Sequence, residues 1–341
     1  MTDKRTTLTA AIAAIPDGAV VALGGNTLHR GPAAAVHEIV RQGKRRLEIV
    51  KTAGAYDVDL LCGAGCASAV SAGYIGFETP FGMAPSYRRS VEQGDVVAKE
   101  HACYSVIAGM RAAIQGVPFM PIAGFAGSDL PAARGFARVA DPYGGGDVYV
   151  VPALTPDVAI LHVHEADPAG NGRIVGSVFE DAIMARAARR VILTAERIVA
   201  GDAFAADPAA TTIPGFMVDA VVEAPGGAWP LGCAGRYDYD AAYLAAYIAA
   251  SRDPDALAAF IRERILEPGD GGAIVSEERI DPAVMMAVAM ARLLHDGETV
   301  FHGVASPLPM VATLLAKRLD APNLVYLNIA GGVDPEPARL P

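Results

Sequence analysis

Two stretches near opposite ends of the chain carry one pattern, and that repeat limits the fold more than any other feature. The first runs LTAAIAAIPDGAVVALGGNTLHRGPAAAVHEIVRQGKRRLEIVKTAG, and the second MMAVAMARLLHDGETVFHGVASPLPMVATLLAKRLDAPNLVYLNIAGG. Each reads as a helix, an Asp-Gly turn, a short apolar strand, a Gly-containing loop, a Pro-started helix, a second apolar strand and Ala-Gly. Asp17-Gly18 recurs 279 residues on as Asp296-Gly297, and Ala53-Gly54 recurs 277 residues on as Ala330-Gly331. Two strands joined by a crossover helix run parallel. The repeat therefore predicts an α/β fold, an open and mostly parallel sheet with helices on both faces.

The copies have different continuations. After Gly54 come strand patterns at Ala69–Gly73, Val148–Pro152, Val158–Val163, Val191–Thr194 and Val218–Glu223. Helical patterns fall at Tyr104–Gln115, Phe179–Ala188, Tyr243–Ala250 and Asp255–Ile265. After Gly331 the second copy stops within ten residues. Two parallel strands with their helices cannot cover both faces or satisfy their edges. The expected organisation is a domain over residues 1–266, a Gly-rich charged linker over 267–279, and the incomplete start of a similar domain over 280–341. A partner chain, or the remainder of a fused one, is expected to complete that second sheet, which implies a hetero-oligomer.

Charge and apolar content remove several function classes. The net charge is −10 and no Lys/Arg-rich stripe occurs, so nucleic acid is not an expected partner, while a local basic pocket stays open. The longest uncharged apolar stretch, Ala241–Ala250, is far short of the roughly 18–20 residues that span a bilayer. The Ala-rich start reads as a first helix rather than a signal peptide. Four cysteines (Cys62, Cys66, Cys103 and Cys233) form no CxxC pair, and a cytoplasmic protein is expected.

Three clusters could carry chemistry. In DGAVVALGG-Asn26, residues 19–23 read as a buried strand, and Gly24-Gly25 let the backbone turn tightly against a ligand. The loop feeds a helix N-terminus whose free N–H groups could hold an anion or a carbonyl oxygen, so Gly24, Gly25 and Asn26 are candidate substrate-binding residues. In YIGFETPFGMAPSYRRSVEQG, Glu78 stands before a Pro/Gly loop where a carboxylate can face a cleft, and Arg88 could bind substrate. A helix cap for Glu78 and a solvated face for the arginines are equally compatible. In KEHACYSVIAGMRAAIQGVPFMP, Glu100, His101 and Cys103 open a helix. A thiol there is expected to have a depressed pKa and to exchange protons with a neighbouring Glu or His, unless Cys103 is simply a small core residue. His162 and His164 share one strand face with no third ligand at a characteristic spacing, so no metal site is expected. GxGxxG, Walker-A, GxSxG and HExxH patterns are absent.

DGAVVALGG, YIGFETPFGMAPSYRR, GMRAAIQGVPFMP, DVAILHVHEADPAGNGRI, IPGFMVDAVVEAPGGAWP and YDYD, in that order, resemble the A-type halves of class I CoA-transferases of the glutaconate type. The likeness covers roughly residues 5–270, and residues 280–341 resemble the opening of the B-type half. The resemblance implies an acyl-CoA substrate held between A-type and B-type domains, coenzyme A entering as part of the substrate, and no permanently bound cofactor. It implies CoA transfer between carboxylic acids through a B-domain glutamate that becomes a glutamyl-CoA thioester. Laid over NLVYLNIAGGVDPEP, that glutamate falls on Ile329 and the serine after it on Ala330, and the Phe that usually follows Gly-Gly is Asn26. A related branch, the ring-opening β-ketoacyl-CoA hydrolases, also lacks the transferase glutamate and uses a glutamate of its A-type half in the region of Glu100–Tyr104. Three readings follow, with Glu78, Glu100 and Cys103 as candidate catalytic residues: a CoA-transferase, an acyl-CoA or ring-opening hydrolase, and a catalytically silent binding subunit.

Overall fold

Long apolar runs become buried strands, and amphipathic Ala-rich runs become the helices that cover them. The computed structural model describes residues 2–79, 81–125, 127–267, 282–301 and 307–327. In chain order the elements are α1 (Leu8–Ala13), β1 (Val20–Leu23), α2 (Ala33–Arg41), β2 (Leu47–Gly54), α3 (Tyr56–Gly63), β3 (Ala67–Ile75), α4 (Pro85–Glu92), β4 (Val97–Glu100) and α5 (Cys103–Gln115). There follow β5 (Phe119–Ile122), α6 (Leu130–Arg134), β6 (Arg138–Ala140), β7 (Asp147–Pro152), β8 (Val158–Ala166), β9 (Gly172–Arg173), α7 (Asp181–Ala187), β10 (Arg190–Ile198), α8 (Gly201–Ala206), β11 (Ala220–Glu223), α9 (Ala241–Ser251) and α10 (Pro254–Ile261). The last are α11 (Pro282–Ala291), β12 (Thr299–Phe301), α12 (Pro307–Leu319) and β13 (Val325–Leu327).

The main sheet has the order β11-β10-β8-β1-β2-β3-β4, parallel throughout, with β9 antiparallel on β8. Its central strands are apolar along nearly their whole length because helices cover both faces; eight of the nine residues of β8 are buried. Local chemistry fixes the helix ends. Asp240 of the YDYD motif caps α9 through the Tyr243 N–H at 2.9 Å, and α5 stops at Gly116 with φ +68°. Gly73 of β3 lets α5 begin directly against the sheet, since a Cβ there would lie 2.3 Å from the Cys103 nitrogen.

The chain divides into two compact units, Met1–Gly271 and Gly272–Pro341. Within the second, α11, β12, α12 and β13 repeat the α1-β1-α2-β2 order, and β12 and β13 pair in parallel as β1 and β2 do. Residues 268–279 of the expected linker, together with Ile329 and Ala330, lie outside the described residues. Three features depart from the sequence pattern. The edge strand β4 (VAKE) is half polar, and β5, β7 and β6 form a separate antiparallel sheet in which Pro121 is tolerated on the edge strand. The helix expected at Asp255–Ile265 ends at Ile261 and continues as a π-helical turn over Arg262–Leu266. Among the described residues no helix is long and apolar enough to cross a membrane.

Candidate active site

From β1 the chain builds outward through β2, β3 and β4, then returns to the other side of β1 with β8, β10 and β11. The order reverses between β1 and β8, the place where open α/β sheets form a crevice at their carboxyl edge. Gly24 follows β1 at that point.

The glycine loop has no room for side chains. A Cβ on Gly24 would sit 2.6 Å from Asp181 Oδ1, and one on Gly25, at φ +71°, would sit 2.4 Å from the His29 carbonyl oxygen. The backbone N–H groups that sequence reasoning offered to a ligand are engaged within the fold. Gly24 donates to Ile160 O at 2.9 Å, Asn26 to His29 O at 2.9 Å, and Thr27 to Ala53 O at 3.0 Å. The Gly25 N–H goes to Asp181 Oδ2 at 3.2 Å. This corrects the expectation that the loop's own N–H groups form an anion-binding nest; the first two N–H groups of α2 are engaged as well, Ala33 donating to Gly31 O and Ala34 to Gly227 O. What the loop presents is side chain. The Asn26 carboxamide has no hydrogen-bond partner among the described residues.

Two buried ion pairs clamp this loop. Lys51, fully buried, pairs with Asp57 and donates from Nζ to the Gly24 carbonyl at 2.9 Å. Arg30 pairs with Asp181 at 2.8 Å and also donates to the His162 carbonyl at 2.7 Å. Arg30 further lies over the Phe179 ring at 5.8 Å, with His29 stacked on that ring at 6.4 Å.

Glu78 reaches the same place from β3. Its carboxylate accepts a hydrogen bond from the Thr27 hydroxyl, and both residues are left-handed, at φ +62° and +42°. Non-glycine residues avoid that region, and strain of this kind gathers at functional sites. Of the five described non-glycine residues with positive φ, four (Thr27, Arg30, Glu78 and Phe179) belong to segments joined to the glycine loop by these contacts; the fifth, Arg46, precedes β2. A tight turn holds Glu78 in place: Phe77 donates to Gly82 O and Gly82 to Glu78 O, both at 2.7 Å, while the Phe77 ring is buried 6.1 Å from that of Tyr247.

Cys103, at the start of α5, is exposed, with its thiol 3.4 Å from the Thr52 carbonyl. The Thr52 hydroxyl donates to Glu180 Oε2 at 2.7 Å, so Cys103, Thr52 and Glu180 form a line beside Asp181 and the glycine loop. Partial burial, and then the Glu180 charge, push the Cys103 thiol up from its usual range. That is opposite to the depression expected at a helix N-terminus. His101 does not relay protons to it: its ring binds Ser105 at 2.9 Å and faces Arg134, and burial followed by the Arg134 charge lowers it to about 4.

Glu100 and Arg88 lie apart from this group. Glu100 ends the edge strand, exposed, where its charge raises Tyr87 of α4 after burial has done so. Arg88 pairs with Glu92 at 2.7 Å on the outer face of α4, against a cavity of about 480 Å³. Sequence reasoning missed Thr27, Thr52, Glu180 and Asp181. The available signal was Glu180-Asp181 at the start of a helix after a Gly/Ser loop, read there only as a first helical turn.

Behind the loop, His162, Glu196 and Cys233 bring ligand atoms within 4.8 Å of one another. Each is already bonded. His162 binds Thr194 at 2.9 Å and Glu196 at 2.8 Å, Tyr237 donates to Glu196 at 2.5 Å, and the Cys233 sulfur lies 3.5 Å from His164 Nε2. A metal ion here would have to displace these bonds, and burial pushes the Cys233 thiol up to about 12.

A parallel sheet with a clamped glycine turn at its reversal point and carboxylates along its carboxyl edge defines an open-sheet α/β protein, a class whose ligands bind at that edge. A family model described as Coenzyme A transferase matches residues 5–224. The chain is 34% identical over 273 residues to the A-type chain of the glutaconate CoA-transferase of Acidaminococcus fermentans, covering 75% of this chain and 85% of that one. The crystal structure of that transferase superposes with a TM-score of 0.75 at 34% identity, covering 78% of this chain and 90% of that chain. A cholesterol ring-cleaving hydrolase IpdA subunit of Mycobacterium tuberculosis is 35% identical over 238 residues, 67% of this chain and 81% of its own. An uncharacterised protein of Archaeoglobus fulgidus is 39% identical over 239 residues, 70% of this chain, and the chain spans only 54% of its length. The chain belongs to the coenzyme A transferase family.

Proposed function

We propose that this chain is the A-type half of an enzyme that acts on an acyl-CoA thioester and moves coenzyme A between carboxylic acids. The observation that carries the reading is the Thr27–Glu78 pair, a strained carboxylate at the carboxyl edge of the sheet with one oxygen bonded and no hydrogen-bond partner for the other among the described residues. The acyl group lies over the clamped loop, the Asn26 carboxamide donates to the thioester oxygen, and Glu78 faces the acyl carbon. The nucleophilic glutamate comes from a B-type partner, because the aligned position in this chain's own tail is Ile329. That carboxylate attacks the thioester and expels CoA thiolate; the thiolate then attacks the glutamyl carbon of the anhydride, releasing the first acid. The second acid attacks that enzyme-CoA thioester and expels CoA thiolate, which then attacks the acid's own carbonyl carbon in the new anhydride, giving the new acyl-CoA and freeing the glutamate. Residues 280–341 serve as the start of a B-type domain that a partner completes.

A second reading, hydrolysis or ring opening of an acyl-CoA, is favoured by Ile329 and by the kinship with a ring-cleaving hydrolase subunit. It uses Glu78 as the base toward water. Incubating the complex purified from its native cells with acyl-CoA, then measuring intact mass, separates the two. A covalent CoA adduct on a partner carboxylate and CoA release that requires an acceptor acid support transfer. CoA release in water alone supports thioester hydrolysis, an acyl-CoA that gains one water and keeps its CoA supports ring opening, and the absence of all of these outcomes sinks both readings.

A further inference from the structure

Helix α3 carries two aspartates two positions apart, Asp57 and Asp59, and both are fully buried. On a helix that spacing points them to roughly opposite sides. Asp57 meets Lys51, whose ammonium holds the Gly24 carbonyl. Asp59 turns the other way and makes no ion pair among the described residues. It accepts one hydrogen bond on each oxygen instead, from the Tyr87 N–H at 2.7 Å and from the Tyr247 hydroxyl at 2.8 Å.

Those two donors stand at the two ends of one segment. Tyr87 lies in the first turn of α4, where Pro85 has no N–H, Ala84 offers no side-chain cap, and the helical ladder starts only with Arg88 donating to Ala84 O. Asp59 supplies the missing cap from a neighbouring helix. Tyr247 of α9 reaches the other end: its buried ring lies 6.1 Å from that of Phe77 and 4.8 Å from that of Tyr56. Between Phe77 and Ala84 runs the turn that carries Glu78, closed by the Gly76–Met83 bridge. One interior carboxylate thus ties the exit of that turn directly and its entry through an aromatic ring. Burial lifts Asp59 to about 6 while the bonds from Tyr87 and Tyr247 work against it, so at neutral pH it is mostly ionised and both oxygens accept. A Ser or Asn would cap α4 without the cost of burying a charge, but only a carboxylate offers Tyr247 a second acceptor oxygen. A left-handed glutamate, here at φ +62°, persists only where its surroundings over-determine it.

Resting on the acyl-CoA reading above, in which Glu78 faces the acyl carbon, we propose that Asp59 is a positioning residue for the reaction. Helix α3 is then the shared mount of the site, fixing the glycine loop through Asp57 and the Glu78 turn through Asp59. Asp59 touches no substrate; it acts by keeping Glu78 in register with Thr27 and Asn26.

Hydrogen exchange on the full chain tests the tether without turnover. In Asp59→Ala the Phe77 and Gly82 amides, which bond across the turn, are expected to exchange at least about tenfold faster than in wild type, while β1 and β8 keep their rates. Asp59→Asn keeps an oxygen for the Tyr87 N–H and should restore most of the protection. Tyr247→Phe removes one hydroxyl and leaves the ring in place, so it decides the matter even if Asp59→Ala does not fold; a rise of about threefold or more at the same two amides is expected. Turn amides that exchange at the wild-type rate, or an equal acceleration across the whole sheet, would overturn the tether. In the native complex, Asp59→Ala is expected to lower kcat about tenfold with KM for an acyl-CoA held, and Asp59→Asn to recover most of it. Added to Glu78→Gln, Asp59→Ala should bring no further loss, since its effect runs through the Glu78 carboxylate. A further loss of about tenfold in the double variant, or a KM rise with kcat unchanged, would overturn the positioning role. A wild-type complex that turns over no thioester would sink the reaction reading, whereas exchange in the turn still decides the tether.

Discussion

The Gly24 carbonyl accepts a hydrogen bond at 2.9 Å from Lys51, an ammonium that water does not reach and that Asp57 neutralises. On the other side of the same peptide, Asp181 takes the Gly25 N–H while paired with Arg30. Two buried charge pairs therefore hold one turn by its two ends. Fixing a turn this way places the loop's side chains before any ligand arrives, which is what a pre-organised site requires.

Removing one member of such a pair strands the other in the interior. Asp181→Ala is expected to lower folding stability by about 3–5 kcal/mol, read from urea unfolding. The double variant Arg30→Met/Asp181→Leu should recover much of that stability and none of the turnover, since the Gly25 N–H still lacks its acceptor. A single variant within about 1 kcal/mol of wild type would remove the clamp from the account.

Glu78 holds its left-handed conformation at a cost that glycine would not bear. In Glu78→Gly, relief of about 1 kcal/mol of backbone strain offsets the loss of one hydrogen bond of about the same size. The expected variant keeps its thermal midpoint within a few degrees while thioester turnover collapses. A large fall in the midpoint would show that Glu78 is there for the fold.

The Cys103 thiol, raised by partial burial and by Glu180, is protonated at neutral pH. Iodoacetamide should label it slowly at pH 7.5, with a rate that rises through a midpoint above that of an ordinary free thiol. Cys103→Ser should keep most of the turnover. Rapid labelling at pH 7, or an inactive serine variant, would restore the cysteine as nucleophile.

Acid stability follows from the buried histidines. Burial lowers His37 to about 3 and also lowers His162 and His164, while burial and then Arg134 bring His101 to about 4. Below about pH 6.5 the unfolded chain takes up protons that the folded chain refuses, so stability falls as pH falls; fully buried His37 and His162 contribute up to about 1.4 kcal/mol per pH unit each. Asp59 acts in the opposite sense, because burial lifts it to about 6 and the folded state keeps a proton between about pH 4 and 6 that the unfolded state releases. Four groups against one leave a net loss on acidification. For Glu196 burial works upward, but hydrogen bonds from His162, Tyr237 and the Gly226 N–H outweigh it and hold the carboxyl near 2, so its contribution is lost below about pH 4.5. Urea midpoints should drop steadily from pH 7 to 5, and a flat profile would contradict this.

The repeat and the main sheet were legible because strands buried on both faces read as unbroken apolar runs and the Asp-Gly turns punctuate them. VAKE was not, since an edge strand with one solvated side keeps its polar residues, and of the small antiparallel sheet only the central strand β7 was legible, its edge strand β5 lying behind Pro118 and carrying Pro121. In the site, Gly24 and Gly25 announced a close approach, but not of what. Asp181, which fills that space, lies 156 residues from Gly25, and no local pattern encodes such a pairing. The same distance misled the reading of the loop's N–H groups as free. Glu78 was visible as a carboxylate before a Pro/Gly turn, whereas its strained backbone and its bond to Thr27 exist only once β1 and β3 lie in one sheet.

Glu78→Gln in the native complex keeps the shape of the side chain and removes the charge that faces the acyl carbon. With an acyl-CoA and an acceptor acid, its kcat should lie at least about 100-fold below wild type, with thermal unfolding unchanged. A variant that turns over at the wild-type rate would contradict that role for Glu78.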